Sequence, residues 1–234
     1  MSEISVEFFN ASISTSGGNF QVFSSQTVLS SLVMSTTIPS PDLSFGLIAD
    51  MHYLDSDNGS NYDRTKIRRF RQSLLILQNA IASFGSTGTY FNVMLGDILD
   101  GKAKTLGMQY SCLQTIHHLC QQQSSPSPST SSQWYCVLGN HEYYNFTREE
   151  LFSQVYFSHI QDKCPHSKLY YSFHPKAGYR CLVLDGYEIS TIGPITPEAG
   201  HQAEDLLRQR NHNYATGCSS SSPFILSLIF HRKH

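Results

Sequence analysis

Phe45-Gly46-Leu47-Ile48-Ala49 runs straight into Asp50-Met51-His52, Phe91-Asn92-Val93-Met94-Leu95 into Gly96-Asp97-Ile98-Leu99-Asp100, and Trp134-Tyr135-Cys136-Val137-Leu138 into Gly139-Asn140-His141-Glu142. Each run is short, almost wholly apolar and partly β-branched, as strands covered on both faces are. Residues 181–184 form a fourth such run. Between the first two, residues 66–84 place Ile67, Phe70, Leu74, Leu77, Ala80, Ile81 and Phe84 at helical spacing, with Gly85 as the stop. Further helices are expected over 106–121, 148–158 and 197–210, and Thr147 with Glu150 makes a capping box for the second of these. Strand-helix-strand alternation of this kind predicts an α/β fold with right-handed crossovers.

In such a sheet the carboxyl ends of neighbouring parallel strands converge on the ligand crevice. The intervals from Asp50 to Asp97 and from Asp97 to Asn140 each have room for a crossover helix. Asp50, His52, Asp97 and Asn140 therefore arrive together from distant parts of the chain. Gly96 and Gly139 let the backbone turn sharply beside them. Carboxylate, imidazole and amide donors without a thiolate suit Mn²⁺, Fe²⁺, Zn²⁺ or Mg²⁺. One carboxylate can also bridge two ions about 3.5–4 Å apart, the arrangement that activates water and holds a phosphoryl oxygen in phosphoester hydrolysis. Each motif alone reads better as a turn or a helix cap; the three in order, each at the end of an apolar run, read as a metal site.

The rest of the composition narrows the class. With 16 Lys+Arg against 18 Asp+Glu the net charge is −2, which argues against a nucleic-acid binder. The 13 Tyr, 14 Phe and 40% hydrophobic content of this 234-residue chain supply one substantial core. No apolar run approaches the ~20 residues of a membrane span. The six cysteines are scattered with no Cys-x-x-Cys pair, and Met1-Ser2-Glu3 opens no secretory signal, so a cytoplasmic, reduced and monomeric protein is expected. Asn10, Asn58 and Asn145 open Asn-x-Ser/Thr triplets that mean nothing about glycosylation without export.

Three zones follow. Residues 1–42, rich in Ser and Thr and closed by Pro39-Ser40-Pro41, read as a poorly ordered tail, with a peripheral strand through Phe8, Phe9, Phe20, Val22 and Phe23 as the alternative. Residues 43–213 form the α/β domain, interrupted by a Ser/Pro surface loop over 121–132. Residues 214–234 read as a divergent tail whose apolar run 224–230 ends at once in His231-Arg232-Lys233-His234, an end that looks cut or rewritten.

At the three strand-end motifs the chain resembles the calcineurin-like metallophosphoesterase superfamily. Gly139-Asn-His-Glu-Tyr-Tyr-Asn-Phe-Thr-Arg148, Leu182-Val-Leu-Asp-Gly-Tyr-Glu-Ile-Ser190 and Arg68-Arg-Phe-Arg-Gln-Ser-Leu-Leu75 are similar to the manganese-dependent ADP-ribose/CDP-alcohol diphosphatases in particular, over about 44–213. The resemblance implies a mixed β-sandwich of two sheets flanked by helices, incomplete here at the C-terminus, with a dinuclear metal centre, Mn²⁺ foremost. It implies Asp50 and His52 on the first ion, Asp97 bridging, Asn140 on the second, His141 on the substrate phosphate or leaving oxygen, and Asp100 orienting His141. Many members carry Gln where this chain has His52. The substrate implied is a nucleotide with a diphosphate linkage, such as ADP-ribose or CDP-choline, cleaved to a nucleoside monophosphate. This sequence holds no Gly-His-x-His, the motif that completes both metal shells in the family. His231 follows an apolar run as a later family histidine would, but the residues after it do not fit. His117, His118, His159, His166, His174, His201 and His212 read as surface or packing residues. Beside the active hydrolase stand two other readings: a non-catalytic remnant, and a module that binds nucleotide or one metal without turnover.

Overall fold

The computed structural model describes residues 7–14, 21–22, 43–60, 63–122, 133–153, 168–211 and 228–232. Its larger sheet has five strands: β1 (Glu7–Ser14), β2 (Gln21–Val22), β3 (Leu43–Ala49), β6 (Phe91–Met94) and β7 (Gln133–Cys136), in the order β2-β1-β3-β6-β7. A short hairpin of β4 (Gly59–Ser60) and β5 (Ile67–Arg68) lies between β3 and β6 in the chain. β3, β6 and β7 are parallel, in the register Phe45↔Phe91↔Gln133. β1 adds antiparallel along the whole of β3, from Glu7↔Ala49 to Ile13↔Leu43. Within the segment read as a tail over 1–42, Phe8 and Phe9 lie on β1 and Val22 on β2, while Phe20, Phe23 and most of the segment lie outside the described residues. Pairing with β3 supplies the hydrogen bonds that composition alone does not reveal.

Alternation on this sheet divides its two faces. Gly46, Asn92 and Trp134 lie on one face, under α1 (Gln72–Thr87): the Phe84 ring lies 6.1 Å from Trp134, and a Cβ on Gly46 would meet that ring. Phe45, Phe91 and Tyr135 lie on the other face. There Phe45 stacks on Phe91 at 5.1 Å, and Tyr135 stacks on Phe173 at 3.5 Å. Phe173 belongs to β8 (Tyr171–Phe173), which with β9 (Tyr179–Val183) and β10 (Leu228–Arg232) makes the second sheet, in the order β10-β9-β8. The Tyr171 hydroxyl locks the two sheets together by accepting the Cys136 N–H (3.1 Å) and donating to its carbonyl (2.8 Å).

The second sheet is antiparallel throughout its described strands, and the few residues between β8 and β9, turned at Gly178 (φ 83°), are too few for a crossover. Several helix expectations need correction. Residues 66–84 do not form one helix: Ile67 and Arg68 pair with Gly59 and Ser60, and α1 begins only at Gln72. That helix runs past Gly85 and ends at Gly88, whose left-handed φ of 66° makes it the C-terminal glycine. The helix expected over 106–121 begins only at Gln109, as α3 (Gln109–Gln122), and a separate short helix, α2 (Lys102–Thr105), precedes it with Gly107 (φ 68°) in the turn between. α4 (Asn140–Asn145) and α5 (Arg148–Ser153) follow β7, and α6 (Pro197–Arg210) has the expected bounds. Thr147 and Glu150 exchange both bonds of the capping box, at 2.7 and 3.2 Å. Within the run 224–230, residues 224–227 lie outside the described residues, as do most of the 121–132 loop, Cys164, Cys218, His159, His166, His212 and His234. Cys112, Cys120, Cys136 and Cys181 are free thiols.

Candidate metal centre

The site is built where the β3 and β6 ladder continues beyond the strands. Asp50 N–H donates to Gly96 O (3.2 Å), His52 N–H to Asp97 O (2.9 Å), Tyr53 N–H to Ile98 O (2.8 Å) and Asp100 N–H back to Tyr53 O (3.0 Å). Two loops therefore run side by side, and the Asp50–His52 pair faces the Asp97–Asp100 pair. Asp50 (φ 54°), His52 (φ 45°) and Asp97 (φ 53°) are all left-handed, and Arg64 alone joins them among the described non-glycine residues. Such conformations cost about 1–3 kcal/mol each and persist where the surroundings impose them.

Glu142 does much of the imposing. It is 1% exposed and accepts three backbone N–H groups: Asp97 (2.8 Å), Ile98 (2.9 Å) and Gly139 (2.7 Å). Burial and the nearby Asp97 raise its pKa against the pull of these donors. Gly139 is extended (φ −103°), so its role is space rather than a sharp turn: a Cβ there would strike the Asp97 carboxylate. Gly96, at φ 98° and against the Gly139 backbone, needs both freedoms.

Donor atoms of Asp50, His52 and Asp97 lie within 4.8 Å of one another, and so do those of His52, Asp100 and His141. His52 Nε2 is 3.8 Å from Asp50 Oδ1, and Asp97 Oδ1 accepts the His141 backbone N–H at 3.0 Å. The His52 and His141 rings meet edge-on at 4.3 Å, and the Nδ1 of each is buried without a hydrogen-bond partner. Burial, then the His141 and Arg68 charges, pushes His52 down to about 3, and burial also lowers His141. Burial foremost, with Asp50 adding to it, pushes Asp97 up to about 6. Neutral imidazoles with orphaned nitrogens beside carboxylates are what a divalent cation requires, so the donor set fits the metal.

Of the six residues singled out in the sequence, the structure brings together Asp50, His52 and Asp97 in one group and His52, Asp100 and His141 in another. Asn140 stands beside them as the first residue of α4. Asp100, expected to orient His141, has a donor atom within 4.8 Å of one of His141; its Oδ2 takes Arg68 Nη1 at 2.5 Å, its Oδ1 takes the Lys102 N–H at 3.0 Å, and His141 Nδ1 has no hydrogen-bond partner. Arg68 and Glu142 lay inside quoted motifs but carried no assigned role. Their positions depend on the β4–β5 hairpin and on close backbone contact, neither of which leaves a spacing signal.

At the far end of α4 the quoted flanks meet. Arg148 Nη1 pairs with Asp185 Oδ2 at 2.6 Å, Arg148 Nε donates to Gly193 O (2.6 Å), and Asp185 Oδ1 accepts the Tyr143 hydroxyl (3.3 Å) and the Tyr187 N–H (2.9 Å). This clamp fixes the helix that presents Asn140 and His141. No helix among the described residues is long and apolar enough to cross a membrane.

The chain is 33% identical over 186 residues to a mouse manganese-dependent ADP-ribose/CDP-alcohol diphosphatase, covering 74% of this chain and 52% of the mouse protein. It is 32% identical over 184 residues to the Arabidopsis thaliana protein of the same name, covering 77% and 54%. It thus spans about half the length of the curated relatives it matches. The crystal structure of a dimetal phosphatase from Danio rerio superimposes with a TM-score of 0.60 at 32% identity, over 74% of this chain and 54% of that one. Residues 43–222 match the calcineurin-like phosphoesterase family model, and with the metal-type donor set at its strand ends the chain belongs to that family.

Proposed function

We propose that the chain acts as a metal-dependent hydrolase on the diphosphate linkage of nucleotides such as ADP-ribose and CDP-choline, releasing a nucleoside monophosphate. The observation that carries this reading is the convergence of Asp50, His52 and Asp97, held in left-handed conformations, beside His141. The names of the relatives, diphosphatases dependent on manganese, support the substrate and the metal. Asp50, His52 and Asp97 would hold a first Mn²⁺, and Asp97 with Asn140 a second. Bound ions supply Lewis acidity and an ionised water.

The residues of the chain do the rest. The His141 imidazole, neutral because burial lowers its pKa, offers its N–H to a phosphoryl or leaving oxygen as charge develops there. Arg68, a third exposed beside Asp100, adds positive charge to the side from which a phosphate arrives. The exposed Tyr144 ring, edge-on to His141 at 5.1 Å, offers an apolar surface for a nucleoside.

Assay of ADP-ribose and CDP-choline hydrolysis with Mn²⁺, on wild type and on His141→Ala, tests the proposal. The expected outcome is turnover by wild type and a fall in kcat of about 10²-fold or more in the variant, with Mn²⁺ content unchanged. Mn²⁺ uptake without turnover by wild type would establish the binding-module reading instead.

A further inference from the structure

We infer that His52, Asp100 and His141 form a second cation position, overlapping the Asp50–His52–Asp97 position through His52, which takes a borderline ion such as Zn²⁺ and has Arg68 as its built-in competitor. The inference goes beyond the hydrolase reading and rests on geometry. The three donor atoms lie within 4.8 Å of one another, close enough to share one ion. Two of the three residues bury an Nδ1 without any partner, an arrangement that proteins rarely leave unresolved. The third, Asp100, is 2% exposed, so its charge is available only inside the protein.

The chemistry separates this position from its neighbour. Two carboxylates and one imidazole at Asp50, His52 and Asp97 suit a harder ion such as Mn²⁺. Two imidazoles and one carboxylate are the donor set of three-ligand zinc sites, which leave the fourth position to water. A cation already sits against Asp100: Arg68 Nη1 lies 2.5 Å from its Oδ2, and the Arg68 side chain is 33% exposed. A guanidinium on that short hairpin can swing into solvent at modest cost, leaving Asp100 to the ion. Because His52 serves both positions, its ring would lie between two cations a few ångströms apart, and their mutual repulsion makes the two metals antagonise each other.

The test is Zn²⁺ titration by calorimetry of the whole chain, freed of metal by chelator, with circular dichroism on each variant as the folding control. Asp50→Asn should retain Zn²⁺ binding, whereas Asp100→Asn and His141→Ala should each weaken it about tenfold or more. Arg68→Met should tighten it, since the competing cation is gone. Asp100→Asn keeps the oxygen that accepts the Lys102 N–H, and a folded Asp100→Asn chain that binds Zn²⁺ as wild type does overturns the inference. Loss of Zn²⁺ in Asp50→Asn together with retention in Asp100→Asn places the ion on the other triad and also overturns it, without touching the hydrolase reading. Absence of Mn²⁺-dependent ADP-ribose hydrolysis alongside the expected Zn²⁺ pattern defeats the hydrolase reading alone.

Discussion

The two ends of α4 carry charged clusters of opposite character. At its start, Asp50, His52, Asp97 and His141 combine left-handed backbones, two orphaned imidazole nitrogens and a carboxylate pushed up to about 6. Beyond its other end, Asp185, with a side chain fully buried, is matched oxygen by oxygen to Arg148, Tyr143 and the Tyr187 N–H. Both clusters bury charge, but in the second the buried carboxylate finds its partners within the chain, and Arg148 Nη2 alone of that cluster's side-chain atoms is buried without one. An internally satisfied cluster holds structure; one left short of partners is waiting for something from outside. The comparison predicts that mutations at the first end damage activity and spare stability, and that those at the second do the reverse.

The sharpest break is at Asp97. Asp97→Asn should eliminate hydrolysis whatever divalent metal is supplied, because it removes the carboxylate proposed to be shared between the ions. The same change should raise the melting temperature of the metal-free chain at neutral pH by a few degrees. In the folded chain Asp97 titrates at about 6 against an ordinary 3.8, so its charge opposes folding above that range. The opposition fades as pH falls through the window and is gone below 3.8, so the variant's advantage should vanish in acid. Thermal melts in chelator across that range, with activity measured on the same samples, check both halves. A variant that is inactive and also less stable at neutral pH would break the comparison.

The reverse case is Asp185→Ala. It leaves Arg148, whose side chain is 19% exposed, without its counter-charge, and should cost about 3–5 kcal/mol in urea unfolding. Mn²⁺ affinity per folded molecule should change little, which equilibrium dialysis at low urea would show. Glu142→Gln lies between the two regions in kind. It trades a three-fold acceptor for an amide, whose NH₂ must face a backbone N–H, and should cost about 1–3 kcal/mol. Its loops carry the metal donors, so stability and Mn²⁺ affinity should fall together.

What the sequence made legible follows the same division. The apolar runs before Asp50, Asp97 and Asn140 announce parallel strands, and polar residues of metal-binding type at three strand ends announce the crevice, because both signals are local. The α6 bounds were readable from Thr196-Pro197 at one end and basic residues at the other. Ile67 and Arg68 were not, since helical spacing continues through them and only pairing with Gly59 and Ser60 pulls them into a strand. Choosing Gly88 over Gly85 as the helix stop required knowing which glycine turns left-handed. The β1 pairing, the Arg68–Asp100 contact and the three-way grip of Glu142 are long-range, so no spacing in the chain encodes them.

The smallest effect sharpens the comparison furthest from the metal. Thr147 Oγ1 accepts the Glu150 N–H at 3.2 Å while Glu150 Oε2 accepts the Thr147 N–H at 2.7 Å, capping α5 one residue before the Arg148 of the clamp. Glu150 also takes the Tyr110 hydroxyl from α3, so the cap ties two helices together. Thr147 is exposed, and its loss removes one acceptor without opening a cavity. Thr147→Ala should therefore cost about 1 kcal/mol in urea unfolding, the usual worth of such a cap. The backbone N–H of Thr147, the Tyr110 hydroxyl and the Thr147 side chain hold Glu150 below the usual carboxylate range, so the stability it contributes is present above 4.5 and lost as pH falls through its lowered value. With the Thr147 hydroxyl gone that depression shrinks, and the acid limb of the stability curve should become shallower in the variant than in wild type. Hydrolysis rate and Mn²⁺ content should stay as in wild type, because Arg148 keeps its bonds to Asp185 and Gly193 whether or not the helix end frays. A fall in either would mean that the clamp transmits strain from α5 to His141, and that the two ends of α4 are one cooperative unit rather than two.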